Sequence, residues 1–253
     1  MGAVRPHDTG EGRIALVVGA SRGLGREIAL YLASHAMHVL LLGRDKKALE
    51  EVHDTICATD GRSSIVVLDI RDAGGMAMMV ETMAKRFGRL HLFIANAAYH
   101  PPLMPLDQAS PSDWQETIAI NVTAYWHFIK ALTPLLVASK DAHALFMTCR
   151  EAMSLPYWGL LALSKAALER MAYGWALEHM RDGLNINVFD PGAMRTQNRT
   201  RCGASMRCAV EPHAVMARLT SLLTAGQSLH GTFHDVSGRV RCVLPHDMGD
   251  VQR

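Results

Sequence analysis

The sequence VVGASRGLGREIAL, from Val17 to Leu30, carries the strongest structural signal in the chain. An apolar, strand-like run ends at Val18, a glycine-rich turn covers Gly19 to Gly25, and a helical pattern follows. Glycines allow a tight turn and a close approach of the backbone to a pyrophosphate, while the helix N-terminus offers free N–H groups and a positive dipole. Between a strand and a helix, this pattern predicts a dinucleotide-binding site rather than an ordinary glycine turn.

Apolar runs alternate with helix-length segments along the rest of the chain. The strand-like runs cover residues 14–18, 38–42, 64–69, 92–96, 144–148, 185–189 and 231–236. Most are short and apolar on both sides, as strands of a parallel sheet covered by helices are. The order predicts an α/β protein with a doubly wound Rossmann fold. We expect a single parallel sheet of about seven strands, helices on both faces and ligand at the carboxyl ends of the strands.

Two segments fall outside this alternation, although residues 1–253 are expected to form one domain. Residues 1–12 are polar, and we expect them to be a flexible N-terminal segment. The segment 191–212, PGAMRTQNRTRCGASMRCAVEP, has no clear period and contains four arginines. A long segment without a pattern is typical of a binding loop or of disorder. Its position favours a substrate lid over residues 193–212.

Composition excludes several classes of function. The formal net charge of +2 comes without long blocks of like charge, so we expect no binding to nucleic acid. The longest apolar run is far below the roughly 18 residues of a membrane span, and the first residues lack the apolar region of a signal peptide. The 5 cysteines form no C-x-x-C motif, and no metal-ligand cluster emerges. We therefore expect a cytoplasmic protein without a metal site or membrane association.

The end of the second strand bears on the choice of dinucleotide. NAD-binding folds usually place an acid there to accept from the ribose 2′-hydroxyl. Here Gly43 occupies that position, Arg44 follows it, and Arg22 lies inside the glycine turn. Two cations without an acid favour a 2′-phosphate, hence NADP(H) over NAD(H). The alternative is that Arg44 lies at a solvated helix start whose N-cap is Asp45.

With these motifs in place, the chain resembles the short-chain dehydrogenase/reductase family from Ile14 to about Val236, most closely a bacterial branch. The family motif T-G-x-x-x-G-x-G matches residues 18–25 with valine for threonine, and N-A-G appears as residues 96–98. The resemblance implies that Asp69 lies near the adenine and that Thr196 contacts the nicotinamide amide. The full set of implied cofactor contacts is Gly19, Ser21, Arg22, Gly23, Leu24, Gly25, Arg44, Asp69, Ile70, Asn96, Ala97, Lys165, Pro191, Gly192 and Thr196.

The resemblance also implies a catalytic set of Asn, Ser, Tyr and Lys. The Asn maps onto Asn121 and the Ser onto Thr148. The Thr148 hydroxyl could still donate to a substrate oxygen. The alternative is that Thr148 is an ordinary β-branched strand residue. The Lys maps onto Lys165, which would bind the nicotinamide ribose. Asn121 also falls within an apolar stripe at helical spacing, where an amide must find partners, either in catalysis or in bracing the backbone. The stripe consists of Trp114, Ile118, Tyr125, Phe128 and Leu132.

The tyrosine position holds Leu161, one helical turn before Lys165. Leucine cannot transfer a proton, and removal of a positioned acid typically slows a reaction by about 10²–10⁴. Candidate surrogates are Tyr157, which otherwise packs beside a tryptophan, and Tyr99 and His100, which follow the N-A-A sequence. Histidine is the best-matched acid near neutral pH.

Three functions therefore remain open. The first is an NADP(H)-dependent oxidoreductase that acts on a small carbonyl or alcohol substrate. The second is a non-catalytic NADP(H)-binding protein, either a sensor or an assembly subunit, which Leu161 favours. The third is a lyase or isomerase. The arginines of residues 193–212 indicate an anionic substrate or the cofactor phosphates, and the apolar helices that carry Asn121 and Lys165 predict a homodimer or homotetramer.

Overall fold

The computed structural model describes residues 12–224, 230–235, 237 and 239–242. Eight strands in these ranges form one sheet in the order β3-β2-β1-β4-β5-β6-β7-β8. The strands are β1 (Ile14–Val18), β2 (His38–Gly43), β3 (Arg62–Val67), β4 (Leu92–Ala95), β5 (Ala142–Met147), β6 (Leu184–Asp190), β7 (Thr232–Asp235) and β8 (Val240–Cys242). Neighbouring strands from β3 to β7 pair in parallel, and β8 pairs antiparallel with β7.

The sheet confirms the predicted α/β Rossmann fold and adds one strand to it. The antiparallel β8 was not predicted, because three residues are too short to show a hydrophobic period. The third strand ends at Val67, two residues earlier than predicted, so Asp69 lies beyond the strand at its carboxyl end. The strand order reverses at β1, which lies between β2 and β4, and a crevice opens there at the carboxyl edge.

Helices connect the strands and cover both faces of the sheet. They are α1 (Gly23–Ser34), α2 (Lys46–Cys57), α3 (Ala73–Phe87), α4 (Pro111–Ile118), α5 (Ala124–Val137), α6 (Gly159–Glu178), α7 (Gln197–Arg201) and α8 (Pro212–Thr224). Short 3₁₀ turns occur at Leu106–Gln108 and Glu151–Met153, and a π-helical turn spans Ala119–Thr123. No helix within the described ranges is long and apolar enough to cross a membrane.

Two buried hydrophobic clusters lie on opposite faces of the sheet. One joins α1, α2 and α8 to the sheet through residues such as Ile28 and Leu219. The other joins α3, α5 and α6 through residues such as Phe128 and Leu168. Strand β1 contributes alternate residues to both clusters, since it is buried on both faces.

The π-helical turn corrects the predicted apolar stripe around Asn121. Tyr125, Phe128 and Leu132 are buried as predicted, but Trp114 is 48% exposed. A π-turn contains more residues than an α-turn, so side chains before it are rotated away from those that follow it. A stripe drawn with a constant helical period therefore places Trp114 on the wrong face.

The irregular segment 193–212 has internal structure. It contains α7, and the backbone of Met194 forms an isolated parallel bridge with Val210. The patternless sequence concealed α7, since a helix of five residues is too short to show a period. The expected flexible N-terminal segment, residues 1–12, lies outside the described residues except for Gly12.

Candidate active site

A cleft of about 960 Å³ opens at the carboxyl edge of the sheet. Its walls come from segments that directly follow the strands: the glycine turn after β1, Arg44 after β2, Asp69 after β3 and Asn96 after β4. Every residue predicted to contact the cofactor lines this cleft except Gly25. The cleft-lining members of that set are Gly19, Ser21, Arg22, Gly23, Leu24, Arg44, Asp69, Ile70, Asn96, Ala97, Lys165, Pro191, Gly192 and Thr196.

The glycine turn forms a cradle that side chains would fill. Gly19 and Gly23 adopt φ values of +81° and +55°, a region that favours glycine. A Cβ atom on Gly25 would lie 2.0 Å from the carbonyl oxygen of Gly19, so Gly25 is required for the close approach of α1 to β1. Arg22, the N-cap of α1, makes no side-chain cap, which leaves N–H groups at the helix start for a ligand. This geometry fits a diphosphate.

Charged side chains occupy the rim beyond β2 and β3. Asp69 accepts from Arg71 Nη2 at 2.6 Å, and Arg44 Nη1 lies 3.7 Å from Asp69 Oδ2. The hydrogen bonds from Arg71 lower the pKa of Asp69 to about 2, so its carboxylate is ionised at neutral pH. Asp45 caps α2 by accepting from Ala48 N at 3.1 Å, as the alternative interpretation expected, and Arg44 still lines the cleft.

Arg22 lies near two other cations. Burial and the neighbouring guanidinium groups of Arg201 and Arg44 lower the pKa of Arg22. Arg201 ends α7 and lines the same cleft, although it was not among the predicted cofactor contacts. The only sequence signal for it was the arginine content of residues 193–212.

Lys165 lies in the cleft as the motif predicts. Its side chain is only 3% exposed, and Nζ donates to the carbonyl oxygen of Met147 at 2.9 Å. Burial lowers the pKa of Lys165 to about 8, because a charged ammonium is poorly solvated there. The ammonium is thus close to its titration point near neutral pH.

Asn121 is fully buried and does not line the cleft. Its Oδ1 accepts from Tyr99 N at 2.8 Å, while Nδ2 donates to Tyr99 O at 2.9 Å and to Ser164 Oγ at 3.0 Å. Both amide donors are therefore used within the protein. The contacts support the bracing alternative, in which Asn121 fixes the loop after β4 against α6.

Thr148 lines the cleft, but its hydroxyl donates to Glu169 Oε1 at 2.6 Å rather than into the cleft. Arg150 Nη2 donates to the other carboxylate oxygen at 3.0 Å, and the Arg150 guanidinium lies 4.5 Å from the Phe233 ring centre. Burial raises the pKa of Glu169, against the opposing effect of these donors. Glu169 was not recognised from sequence, because a glutamate in a helix is ordinarily exposed.

Leu161 lies outside the cleft lining and is 2% exposed. It belongs to a small apolar cluster with Ala152, Trp158, Cys202 and Ala204. Two of these residues, Cys202 and Ala204, come from residues 193–212. The tyrosine position is therefore part of a buried apolar contact with that segment.

The three surrogate candidates differ in their surroundings. Tyr157 is 59% exposed and outside the cleft lining. The phenol of Tyr99 lines the cleft but donates to Asp113 Oδ1 at 2.9 Å, and burial together with that carboxylate raises its pKa to about 12. His100 also lines the cleft, and its buried Nδ1 has no hydrogen-bond partner within the described ranges. Burial and the nearby Lys165 and Arg199 cations lower the pKa of His100 to about 3.

The segment 193–212 is tied to the rim of the cleft by several contacts. Arg199 donates to both carboxylate oxygens of Glu151, at 2.6 and 2.8 Å, and lies over the ring of Trp158 at 5.9 Å. Asn198 Nδ2 donates to Ala98 O at 3.2 Å. These contacts hold α7 at the wall of the cleft, which four of its five residues line.

Cys149 and Trp158 also line the cleft, although the residue pattern did not predict it. Cys149 directly follows Thr148, and burial raises the pKa of its thiol. Trp158 precedes α6 and is buried against the segment 193–212. No residue pattern distinguishes either side chain from ordinary packing.

Comparisons with known proteins agree with this geometry. The short chain dehydrogenase family profile matches residues 13–206. The uncharacterized oxidoreductase YciK of Escherichia coli strain K12 is 33% identical over 192 residues, which cover 74% of this chain and 75% of that protein.

Solved structures share the fold as well. A short chain dehydrogenase structure from Pseudomonas syringae has a TM-score of 0.84 at 28% identity and covers 93% of this chain and 100% of its own. One from Shigella flexneri 2a strain 301, in complex with NADP, has a TM-score of 0.82 at 28% identity, covering 89% and 97%. Because the family profile spans more than half of the chain and the relatives share both its sequence and its fold, the chain belongs to the short-chain dehydrogenase family of oxidoreductases.

Proposed function

We propose that the protein is an NADP(H)-dependent oxidoreductase that interconverts a carbonyl and an alcohol, with Lys165 as its proton donor in place of a tyrosine. The observation that carries this proposal is the position of Lys165, whose buried ammonium lines the dinucleotide cleft while Leu161 is turned into the apolar cluster.

The residues of the cleft fit an NADP(H) molecule. The glycine turn from Gly19 to Gly25 would hold the diphosphate, and Arg22 and Arg44 would bind the 2′-phosphate. Thr196 would contact the nicotinamide amide. The complex of the Shigella flexneri relative with NADP supports this choice. Bound in this way, the nicotinamide would exchange hydride with the substrate carbon.

Proton transfer then needs a group in the cleft that carries a proton at neutral pH. The Lys165 ammonium, with a pKa of about 8, is well matched to this task. One of its three N–H bonds goes to Met147 O, which leaves two for a substrate oxygen. His100, with a pKa of about 3, is neutral near pH 7, so it can orient a substrate by a hydrogen bond but is a poor acid. The phenol proton of Tyr99 is engaged by Asp113.

The lining of the cleft beyond Lys165 favours an uncharged substrate. Arg199 is paired with Glu151, and Arg195 lies 3.7 Å from Glu211. These two arginines of the segment 193–212 are thus paired with carboxylates of the protein and need no anionic substrate as a partner. The apolar part of the wall is formed by Pro102, Met147 and Trp158.

A non-catalytic NADP(H)-binding protein is the second candidate, and one observation favours it. Leu161 contributes to an apolar cluster that would be disrupted by a polar phenol, so the surroundings have adapted to the absence of tyrosine. In this case the cleft would bind the nucleotide without catalysing a reaction, and α7 would form contacts that depend on the bound nucleotide.

One series of measurements separates the two candidates. Binding of NADPH and NADH is measured first, followed by NADPH oxidation with a panel of ketones, quinones and enones. We expect turnover in the natural protein, retention of most of it in His100→Ala, and a loss of at least about 10²-fold in Lys165→Met. Tight NADPH binding without turnover would favour the non-catalytic protein. Failure to bind either nucleotide would overturn both candidates.

We further propose a homodimer or homotetramer in the cytoplasm. The indoles of Trp114 on α4 and Trp126 on α5 are about half exposed, at 48% and 50%, which supports burial against another subunit. The free thiols of Cys57, Cys149, Cys202 and Cys208 are consistent with a reducing compartment. A monomer by light scattering would contradict the assembly, and secretion to an oxidising compartment would contradict the location.

A further inference from the structure

Six arginines line the cleft, and they fall into two groups. Four have a carboxylate within 4 Å: Arg26 with Glu27, Arg44 with Asp69, Arg195 with Glu211 and Arg199 with Glu151. Arg22 and Arg201 form no salt bridge within the part of the chain that the structure describes. Both guanidinium groups are exposed, and Asp45 acts on Arg22 only from beyond salt-bridge distance.

Arg22 and Arg201 come from segments that meet at the cleft. A Cβ atom on Gly23, the residue after Arg22, would lie 3.6 Å from Thr196 Cγ2. Thr196 is the N-cap of α7, where it accepts from Arg199 N, and Arg201 ends that helix. Arg201 lies at the other end of this five-residue helix and lines the same cleft as Arg22.

The two cations repel one another. Arg201 is the charged neighbour with the largest effect in lowering the pKa of Arg22. Two guanidinium groups that repel each other and have no salt-bridge partner in the described residues offer a site at which an anion would be stabilised. A phosphate would replace this repulsion with charge-assisted hydrogen bonds, which are about twice as strong as neutral ones.

We infer that Arg201 of α7 and Arg22 of the glycine turn form a clamp around a phosphate group of the bound dinucleotide. The inference rests on the proposed function, since it takes NADP(H) as the ligand. It adds a cofactor contact from the segment 193–212, so nucleotide binding further stabilises the position of this segment. Because such coupling is reciprocal, placement of α7 also tightens nucleotide binding.

The paired arginines make a separate contribution. The Arg199 and Glu151 pair holds α7 at the rim with or without nucleotide, whereas the Arg22 and Arg201 clamp closes only around an anion.

The phosphate held by the clamp is either the 2′-phosphate or the diphosphate. The two nucleotides distinguish these cases, because NADPH carries both groups and NADH carries the diphosphate alone.

The test compares Arg201→Gln with Arg207→Gln, a control that removes an exposed arginine of the same segment outside the cleft lining. Dissociation constants for NADPH and NADH are measured by fluorescence titration at fixed ionic strength, since phosphate contacts are screened by salt. We expect Arg201→Gln to weaken NADPH binding by about 10- to 100-fold, the loss of one hydrogen bond to a charged group. Arg207→Gln should bind as the natural protein does. Weakened binding of both nucleotides assigns the diphosphate, and weakened binding of NADPH alone assigns the 2′-phosphate.

A second readout does not depend on turnover. NADPH should protect residues 193–212 of the natural protein from trypsin and should protect those of Arg201→Gln less. Without nucleotide, Arg201→Gln should melt at the same or a higher temperature, because it relieves repulsion with Arg22. Equal NADPH affinity in the natural protein and Arg201→Gln would overturn the clamp. Failure of the natural protein to bind nucleotide would instead overturn the proposed function.

Discussion

Glu151 and Arg199 form a two-point ion pair, with donor–acceptor distances of 2.6 and 2.8 Å. Glu151 follows β5 and Arg199 belongs to α7, so the pair joins the segment 193–212 to the body of the protein. The Arg199 side chain is buried, and its Nε donates to Ser205 O at 2.7 Å. A planar, two-point pair with little exposure to solvent is stronger than an exposed one.

Glu151→Gln should therefore loosen this segment. We expect the free energy of unfolding to fall by about 1–3 kcal/mol, because a buried guanidinium loses its charged partner, and trypsin to cleave within 193–212 faster. The matched control is Glu211→Gln, whose partner Arg195 is 3.7 Å away and half exposed. Glu211→Gln should lower the free energy of unfolding by less than about 0.5 kcal/mol. Equal effects of the two variants in urea unfolding would contradict a special role for the Glu151 pair.

Leu161→Tyr should restore a proton donor only at a cost in stability. The larger ring enters a buried apolar cluster with Trp158 and Cys202, and overpacking costs about 1–3 kcal/mol. Leu161→Phe adds the same ring without the hydroxyl and is the matched control. We expect both variants to melt at lower temperature, with NADPH oxidation at least about tenfold faster in the tyrosine variant. Equal rates would show that a phenol at this position does not reach the reacting oxygen.

The proposed role of Lys165 predicts a pH profile. Its pKa of about 8 means that the ammonium is present below pH 8 and lost above it. NADPH oxidation at saturating substrate should therefore be constant at lower pH and fall about tenfold per pH unit above 8. A rate that stays constant to pH 10 would exclude Lys165 as the proton donor.

Lys165 also predicts a dependence of stability on pH. Because its folded pKa, about 8, lies below the ordinary value of 10.5, the unfolded chain binds the proton more tightly. The buried charge therefore destabilises the fold at pH 7, by up to about 3 kcal/mol, and this penalty disappears as pH rises from 8 to 10.5. Lys165→Met should be more stable than the natural protein at pH 7, with the difference shrinking by pH 10. Urea unfolding at several pH values checks this, and a difference that grows with pH would contradict it.

Thr148 is expected to matter more for stability than as a substrate donor. Thr148→Val removes the hydrogen bond to the buried Glu169, which should cost about 1–3 kcal/mol at neutral pH. Thr148→Ser keeps the hydroxyl and should cost less. Since this hydrogen bond lowers the pKa of Glu169, its loss raises that pKa further, and the deficit of Thr148→Val should shrink as acid protonates the carboxyl. A variant as stable as the natural protein would contradict this assignment.

Much of the fold could be predicted from sequence because its signals are local. The apolar run at 14–18 and the glycines after it determine a strand, a turn and a helix within one continuous segment. Features that depend on geometry were not accessible. The π-helical turn before Ala124 leaves no mark in the residue pattern, and it breaks the constant helical period on which the prediction for Trp114 depended.

The candidate site also has a part that the sequence predicts and a part that it does not. Residues that follow strands, such as Asn96 and Pro191, reach the cleft through the order of the fold alone. Side-chain partners do not follow from that order. Thr148 and Glu169 are 21 residues apart and Arg199 and Glu151 are 48 apart, so the sequence cannot show which acceptor each donor reaches.

The position of Trp158 gives the protein an intrinsic optical reporter. This indole lines the cleft beneath Arg199, whereas Trp175 lies in the core and Trp114 and Trp126 are half exposed. Its emission should respond both to energy transfer into a reduced nicotinamide and to movement of the guanidinium above it. With the two surface tryptophans replaced by phenylalanine, Trp158 and the core Trp175 remain, and the change in emission on nucleotide addition can be followed without an attached dye.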